Sequence, residues 1–183
     1  MNRPPGHWLD HTRYHPSPNF NSRPLGAAVS LLVIHNISLP RGHYGNGHIE
    51  QLFSNCLDCS AHQDFADLQD LRVSAHLLID RVGGAVQFVG LDQRAWHAGH
   101  SNFGGCENCN DFSIGIELEG VDDGVYTEPQ YQSLLRISRE IMIAYPQITP
   151  DRIVGHCDIA PGRKTDPGEA FDWQYYLTAL SAP

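Results

Sequence analysis

Two short apolar runs, each ending in a histidine, mark the predicted core of this chain. Residues 31–35 (LLVIH) and 152–156 (RIVGH) have this form, and each run opens into a segment rich in glycine and proline. Continuous apolar runs of this length are typical of strands that are buried on both faces. The pattern therefore predicts two buried strands that present His35 and His156 at their ends, with loops shaping the surface above them.

A third predicted strand shows strict alternation of apolar and polar positions. Residues 112–119 (FSIGIELE) place three aliphatic side chains on one face, while Glu117 and Glu119 lie on the other. Successive side chains of a strand point to opposite faces of the sheet. Two carboxylates are therefore expected side by side on the polar face of this strand.

A hairpin and two helices complete the main predicted elements. Residues 74–81 and 85–89 are β-rich and flank a Gly-Gly pair, which is a strong hairpin signal. Thr127 begins a capping-box sequence with a proline in the first turn, and the apolar positions that follow predict an amphipathic helix ending at Tyr145. A last helix is predicted at about residues 171–180.

The order of these elements predicts an α/β fold. Strands are mixed with helices along the chain, and two of the strands form a hairpin. This order predicts a mixed central β-sheet flanked by helices, and we expect the functional cleft at the edge of the sheet. The length of 183 residues suits a single domain, residues 1–183. Residues 1–29, which contain five prolines, are predicted to form an irregular N-terminal arm. Short helices are predicted at 48–55 and 64–70.

Composition and charge narrow the classes of function. The chain has 21 acidic and 12 basic residues and a formal charge of −9, which argues against general binding to nucleic acid or to anionic membranes. It contains no apolar stretch long enough to span a membrane. The N-terminus has no apolar signal region, so we expect a cytoplasmic location. We also expect a monomer.

Histidine is unusually frequent, with eleven residues of this type in the chain. Histidine is the commonest metal ligand in proteins. Asp166 lies ten residues beyond His156, in a loop whose prolines and glycine can fold it back toward its start. Two imidazoles and a carboxylate, from His35, His156 and Asp166, would fill three positions of a tetrahedral zinc site and leave the fourth open, as in a catalytic centre.

A hydrolytic zinc site also needs a base and a positive charge. Glu117 is the better candidate for the base because glycines flank it and let a ligand approach, although Glu119 shares its face. Lys164, two residues before Asp166, could place an ammonium beside the metal to stabilise a developing oxyanion. Each of these residues has a simpler interpretation as a solvated surface charge.

Six segments of the chain together resemble a known family. They are residues 31–40 (LLVIHNISLP), 72–76 (RVSAH), 94–99 (RAWHAG), 110–120 (NDFSIGIELEG), 155–161 (GHCDIAP) and 163–168 (RKTDPG). In order and spacing they resemble the zinc N-acetylmuramoyl-L-alanine amidases, and among these the amidases of anhydromuramyl-peptides. The wider superfamily includes phage lysozyme-type amidases and peptidoglycan recognition proteins. The resemblance extends from about residue 17 to residue 173.

The resemblance implies an activity and a role for each matching residue. The implied reaction is hydrolysis of the amide between the lactyl group of anhydromuramic acid and the L-Ala of the stem peptide, during cytoplasmic peptidoglycan recycling. His35, His156 and Asp166 match the zinc ligands, Glu117 matches the general base, and Lys164 matches the group that stabilises the oxyanion.

The same resemblance assigns residues to the substrate. Asn36, Trp96 and His97 are expected to line the cleft, and Arg72 is a candidate clamp for a peptide carboxylate. The chain departs from the family pattern at Asn108, where a basic residue is expected, and at residues 63–64, where a proline and an aromatic residue are expected.

Four of the five cysteines form two C-x-x-C pairs, Cys56 with Cys59 and Cys106 with Cys109. Such pairs are typical of structural zinc, so a second, Cys₄ zinc site that joins two loops is one interpretation. The other is four free thiols or a labile disulfide.

Two further function classes stay open at this stage. One is a catalytically inactive peptidoglycan-binding module of the same superfamily, which usually lacks a zinc ligand. The other is an interaction protein built around the Cys₄ zinc site, in which the His/Asp site would be empty.

Overall fold

The computed structural model of the protein describes residues 6–182. Ten strands and four α-helices follow one another along these residues. The strands are β1 (Arg13–Tyr14), β2 (Phe20–Asn21), β3 (Leu31–Ile37), β4 (Leu77–Ile79), β5 (Ala85–Gln87), β6 (Arg94–Ala95), β7 (Asn102–Phe103), β8 (Cys106–Glu107), β9 (Ser113–Glu119) and β10 (Ile153–Gly155). The helices are α1 (His48–Phe53), α2 (Glu128–Ala144), α3 (His156–Ile159) and α4 (Trp173–Ser181).

A six-stranded mixed sheet forms the centre of the fold, in the order β1-β5-β4-β9-β3-β10. Strands β4, β9, β3 and β10 pair in parallel, and β4 pairs with β5 in the antiparallel sense. The predicted α/β fold with a mixed central sheet is confirmed. The predicted hairpin is also present, and Gly83 in its turn has a φ of 83°, a conformation that glycine adopts without strain.

Helix α2 covers one face of the sheet through its apolar stripe. The Thr127 hydroxyl accepts a hydrogen bond from the backbone N–H of Gln130, and Oε1 of Gln130 accepts one from the backbone N–H of Thr127, so the predicted capping box is formed. Leu134, Ile137 and Ile141 of the stripe are completely buried and belong to the same core as the aliphatic face of β9. Burying such side chains contributes roughly 1.5–3 kcal/mol each.

Several predicted boundaries differ from the structure. Strand β3, which was expected to end at His35, continues to Ile37 because residues 35–37 pair with β9. The strand predicted for residues 152–156 ends at Gly155, and His156 begins helix α3, because the Asp158 carboxylate accepts a hydrogen bond from the Gly155 amide and starts a turn there. The predicted irregular arm contains β1 and β2, which pair with β5 and β6. Residues 1–5 of the arm lie outside the described part of the chain.

Within residues 6–182, no helix combines the length and the apolar character that crossing a bilayer requires.

Candidate active site

Three predicted ligand side chains meet at the carboxyl ends of two neighbouring strands. Strand β10 runs parallel to β3, with Gly155 opposite Ile34. His156, the residue after Gly155, therefore lies beside His35, which is still part of β3. Their Nδ1 atoms lie 3.0 Å apart. The Oδ2 atom of Asp166 lies 3.0 Å from Nδ1 of His35 and 3.1 Å from Nδ1 of His156. Among residues 6–182, this is the group of His, Cys, Asp and Glu side chains close enough to share a metal ion.

The chemistry of these three side chains fits a divalent zinc ion. Nε2 of His156 lies 3.0 Å from the carbonyl oxygen of Ala98, and only a protonated Nε2 can donate to it. Nδ1 of His156 therefore carries a lone pair that faces the other two ligand atoms. Burial lowers the pKa of His35 to about 4, so its imidazole is neutral. Burial opposes ionisation of Asp166, but its contacts with His156 and His35 outweigh this and lower its pKa. Neutral imidazoles and a carboxylate are the forms that bind zinc.

Glu117 lies beside this group on the adjacent strand, where it is the register partner of His35. Burial raises the pKa of Glu117 well above its usual value, the charge of Asp166 adds to this, and Lys164 opposes it. Within residues 6–182, Oε2 of Glu117 and Nε of Arg23 are the buried side-chain polar atoms that have no hydrogen-bond partner. An unpartnered carboxylate oxygen next to a candidate metal centre is free to accept a proton.

Glu119 shares the face of Glu117 but has a different environment. Its Oε1 accepts a hydrogen bond from the Gly45 amide at 2.6 Å, and its Oε2 accepts one from the Arg81 amide at 3.3 Å. It is buried and lines a separate depression rather than the cleft of Glu117. The structure therefore separates the two carboxylates and leaves Glu117 as the candidate base.

A cleft of about 460 Å³ opens above these residues. The predicted substrate residues all line it, namely Asn36, Arg72, Trp96 and His97, and so does Lys164, the candidate for oxyanion stabilisation. Lys164 is exposed at the mouth of the cleft. Its ammonium is close enough to influence the ionisation of both Glu117 and His35.

Two of the predicted substrate residues are held by neighbouring polar groups. The amide of Asn36 donates to the Asp122 carboxylate at 2.8 Å and to the carbonyl of Pro167 at 3.0 Å. The indole N–H of Trp96 donates to Asn21 at 2.6 Å. These contacts fix both side chains in the wall of the cleft. The exposed Arg72 contacts only backbone carbonyl oxygens, those of residues 69 and 71, among the hydrogen bonds found in residues 6–182.

Four histidine rings lie in a row, each packed against the next. Ring centroids are 4.4 Å apart for His156 and His35, 5.0 Å for His35 and His97, and 5.6 Å for His97 and His76. His97, which the resemblance assigned to the substrate, therefore lines the cleft and also contacts a candidate zinc ligand. A Cβ atom on Gly115 would lie only 2.5 Å from Nδ1 of His97, so the ring occupies space that only a glycine in β9 leaves open.

The fourth ring of the row, that of His76, is completely buried. Its Nδ1 accepts a hydrogen bond from the Gly115 amide, and its Nε2 donates to the carbonyl of Gln93, both at 3.0 Å. Burial, and next the charge of Arg23, lower its pKa to about 3. The folded protein therefore holds this ring neutral at pH values where the unfolded chain protonates it.

This difference predicts a pH dependence of stability. As the pH falls from about 6.5 towards 3, only the unfolded chain takes up the proton of His76, so the free energy of unfolding should decrease by about 1.4 kcal/mol per pH unit from this residue. The variant His76→Asn keeps an acceptor for the Gly115 amide. Its free energy of unfolding should depend less steeply on pH, by the amount that His76 contributes. Urea unfolding of both metal-free proteins between pH 4 and 7 measures it, and equal slopes would contradict the assignment.

The four cysteines of the two C-x-x-C motifs do not form one cluster. Cys56 and Cys106 are exposed, Cys59 is half-buried and Cys109 is buried. Cys109 packs behind β3 in a cluster that contains Leu31, Val33, Ala98 and Ile159. Within residues 6–182, no three of these thiols are close enough to share a metal ion. The structure does not assemble the predicted Cys₄ zinc site, because Cys109 packs into the core.

Comparison with known proteins shows the family of the chain. The sequence profile of the N-acetylmuramoyl-L-alanine amidase family matches residues 25–169. The chain belongs to this family. It is 54% identical over 177 residues to the 1,6-anhydro-N-acetylmuramyl-L-alanine amidase AmpD of Salmonella typhimurium, covering 96% of this chain and 94% of the relative.

Solved structures of amidases agree with this membership. The crystal structure of a selenomethionine derivative of AmpD superposes with a TM-score of 0.92 and 51% identity, covering 94% of this chain and 96% of that one. The amidase AmiD of Escherichia coli, solved with the substrate anhydro-N-acetylmuramic acid-L-Ala-D-γ-Glu-L-Lys, gives a TM-score of 0.61 and 31% identity, covering 86% of this chain and 60% of that one.

Sequence reasoning missed the groups that surround the candidate ligands of this site. The carbonyl of Ala98 contacts His156, and the side chain of Asn110 binds the backbone beside it. A backbone carbonyl leaves no signal in a sequence. Asn110 lies in the quoted segment 110–120, but neither spacing nor residue type indicates which backbone groups its amide reaches.

Proposed function

We propose that this protein hydrolyses the amide bond between the lactyl group of anhydro-N-acetylmuramic acid and the L-Ala of the stem peptide, with one zinc ion held by His35, His156 and Asp166. The convergence of these three side chains beside the unpartnered carboxylate of Glu117 carries the proposal. The substrate follows from the names of the relatives and from the anhydromuramyl-peptide in the AmiD complex. The complete ligand set favours an enzyme over an inactive binding module.

The residues of the chain divide the work of the reaction. Zinc, when bound, polarises a carbonyl and lowers the pKa of a water molecule. Oε2 of Glu117 takes a proton from the attacking water and returns it to the leaving amine of L-Ala. The raised pKa of Glu117 suits the first step, because a carboxylate with a higher pKa is a stronger base for the proton of the water. The ammonium of Lys164 stabilises the negative charge that develops on the amide oxygen.

Local charge guides an anionic substrate to a protein that is acidic overall. The formal charge is −9, whereas Arg72, Arg163 and Lys164 all line the cleft. Arg72 is the candidate clamp for a stem-peptide carboxylate, since a guanidinium binds carboxylates with two parallel hydrogen bonds. Asn36, Trp96 and His97 shape the wall near the scissile bond.

The proposal includes a cytoplasmic location, a role in peptidoglycan recycling and a monomeric state. It includes no nucleic-acid or membrane partner. Cell fractionation and light scattering of the purified protein test these points.

The decisive experiment compares two substrates. The purified protein should release stem peptide from anhydromuramyl-peptide, and chelation should abolish release until zinc is added back. Intact sacculus should be cut much more slowly, because the substrate proposed from the relatives is an anhydromuramyl-peptide. Preferential cleavage of sacculus, or full activity after chelation, would overturn the proposal.

Metal stoichiometry provides a separate test. We expect one zinc equivalent per chain, since the structure assembles one ligand group within residues 6–182. The double variant Cys56→Ser, Cys106→Ser should keep that equivalent. Elemental analysis measures it, and a second equivalent that the double variant loses would restore the Cys₄ site.

A further inference from the structure

We propose that the dipeptide His97–Ala98, clamped by the side chain of Asn110, orients both histidine ligands of the metal centre. In this account His97 and Asn110 are positioning residues, and the inference rests on the proposed metal centre. The dipeptide lies just after β6, outside the strands that carry the ligands.

The first contact of the dipeptide is with His156. The carbonyl oxygen of Ala98 accepts the hydrogen bond from Nε2 at 3.0 Å. The same oxygen accepts a second hydrogen bond from the guanidinium of Arg163 at 2.6 Å, which holds the carbonyl in place. The proton on Nε2 leaves the lone pair on Nδ1, so the carbonyl fixes the tautomer and the rotation of the ring.

The second contact is with His35. Its Nε2 lies 2.9 Å from Nδ1 of His97, and Nε2 of His97 lies 3.1 Å from the hydroxyl of Ser113. When Nε2 of His97 donates to Ser113, its Nδ1 must accept from Nε2–H of His35. This again leaves the ligand lone pair on Nδ1. The ring of His97 reaches this position because Gly115 has no side chain.

A single side chain holds the dipeptide itself. Oδ1 of Asn110 accepts hydrogen bonds from the amide of His97 at 3.1 Å and from the amide of Ala98 at 2.8 Å. Asn110 is buried, so water does not compete for these two amides. The two outer partners of the ligands are adjacent in sequence and share this clamp. A change at Asn110 should therefore reach both ligands, although its side chain touches neither.

Paired variants separate positioning from packing. In His97→Asn, the side-chain oxygen can replace Nδ1 as an acceptor for His35, whereas His97→Leu has no acceptor there. In Asn110→Asp, a carboxylate oxygen can still accept from both amides, whereas Asn110→Leu cannot. His11→Leu serves as a surface control, because His11 is an exposed residue whose Nδ1 lies 3.5 Å from the Glu140 carboxylate.

Zinc dissociation constants, measured by chelator competition, are the main readout, and thermal unfolding of the metal-free proteins is the second. The two leucine variants should bind zinc about 10–100-fold more weakly, as expected when an outer partner of a ligand is lost. His97→Asn, Asn110→Asp and His11→Leu should retain affinity close to that of the parent protein.

Two outcomes would overturn the inference. One is unchanged zinc affinity in both leucine variants. The other is an equal loss in the leucine variants and their acceptor-retaining counterparts, which would indicate a packing role that metal-free unfolding should also detect. If the parent protein itself bound no zinc, the proposed function would fail instead, and the two failures are therefore distinguishable.

Discussion

Replacing Glu117 with glutamine is expected to lower kcat by about 10²–10⁴-fold while zinc stays bound, because a positioned general base contributes this much. The substitution keeps the shape of the side chain but removes its ability to take a proton at Oε2. Steady-state hydrolysis of anhydromuramyl-peptide, together with metal analysis of the same preparation, measures both parts of this prediction.

The neighbouring carboxylate offers a matched control for Glu117. Glu119→Gln changes the same group, two residues along the same strand, but Glu119 binds the amides of Gly45 and Arg81 away from the cleft. This variant should keep its turnover. A comparable loss of turnover in both variants would contradict the prediction, because it would show that the substitutions disturb the strand rather than remove a base at residue 117.

Replacing Asp166 with alanine should abolish stable zinc binding and, with it, turnover. Asp166 is the anionic member of the ligand group, and its Oδ2 lies about equally far from both imidazoles. We expect a larger loss of affinity than the roughly 10–100-fold typical of outer partners. Titration with zinc against a competing chelator measures it.

An exposed aspartate provides the comparison for Asp166. Asp123→Ala removes a carboxylate that contacts Arg41 at the surface, and it should change neither zinc binding nor turnover. Undiminished turnover of Asp166→Ala in zinc-depleted buffer would refute the ligand assignment.

Local sequence patterns were sufficient to predict the strands around the candidate site. The two apolar runs predicted the strands that lead into His35 and His156, and the alternation in residues 112–119 correctly put Glu117 and Glu119 on one face. These patterns succeed because burial and strand periodicity depend on neighbouring residues. Spacing also indicated Asp166 and Lys164 in one loop, and the resemblance to the amidases then matched both residues to roles.

The environment of each side chain could not be predicted in this way. Glu117 and Glu119 are equivalent in the strand pattern. They differ in hydrogen bonding because Glu119 binds the backbone amides of Gly45 and Arg81, which lie 74 and 38 residues away from it in the sequence. The role of His97 depends on space beside Gly115, which no periodicity records. Spacing likewise cannot show that Cys109 packs into the core, away from the other thiols of the predicted Cys₄ site.

The register of the sheet has a consequence for how such a protein can diverge. Glu117 and His35 are direct partners on adjacent strands, so backbone pairing fixes their spacing at about 4.8 Å between strands. Much of the cleft wall comes from connecting segments instead, including Arg72 and Trp96. Insertions or exchanges in those loops can change which peptide fits without moving the base relative to the ligands. Descendants of this chain can therefore inherit one reaction and acquire new substrates.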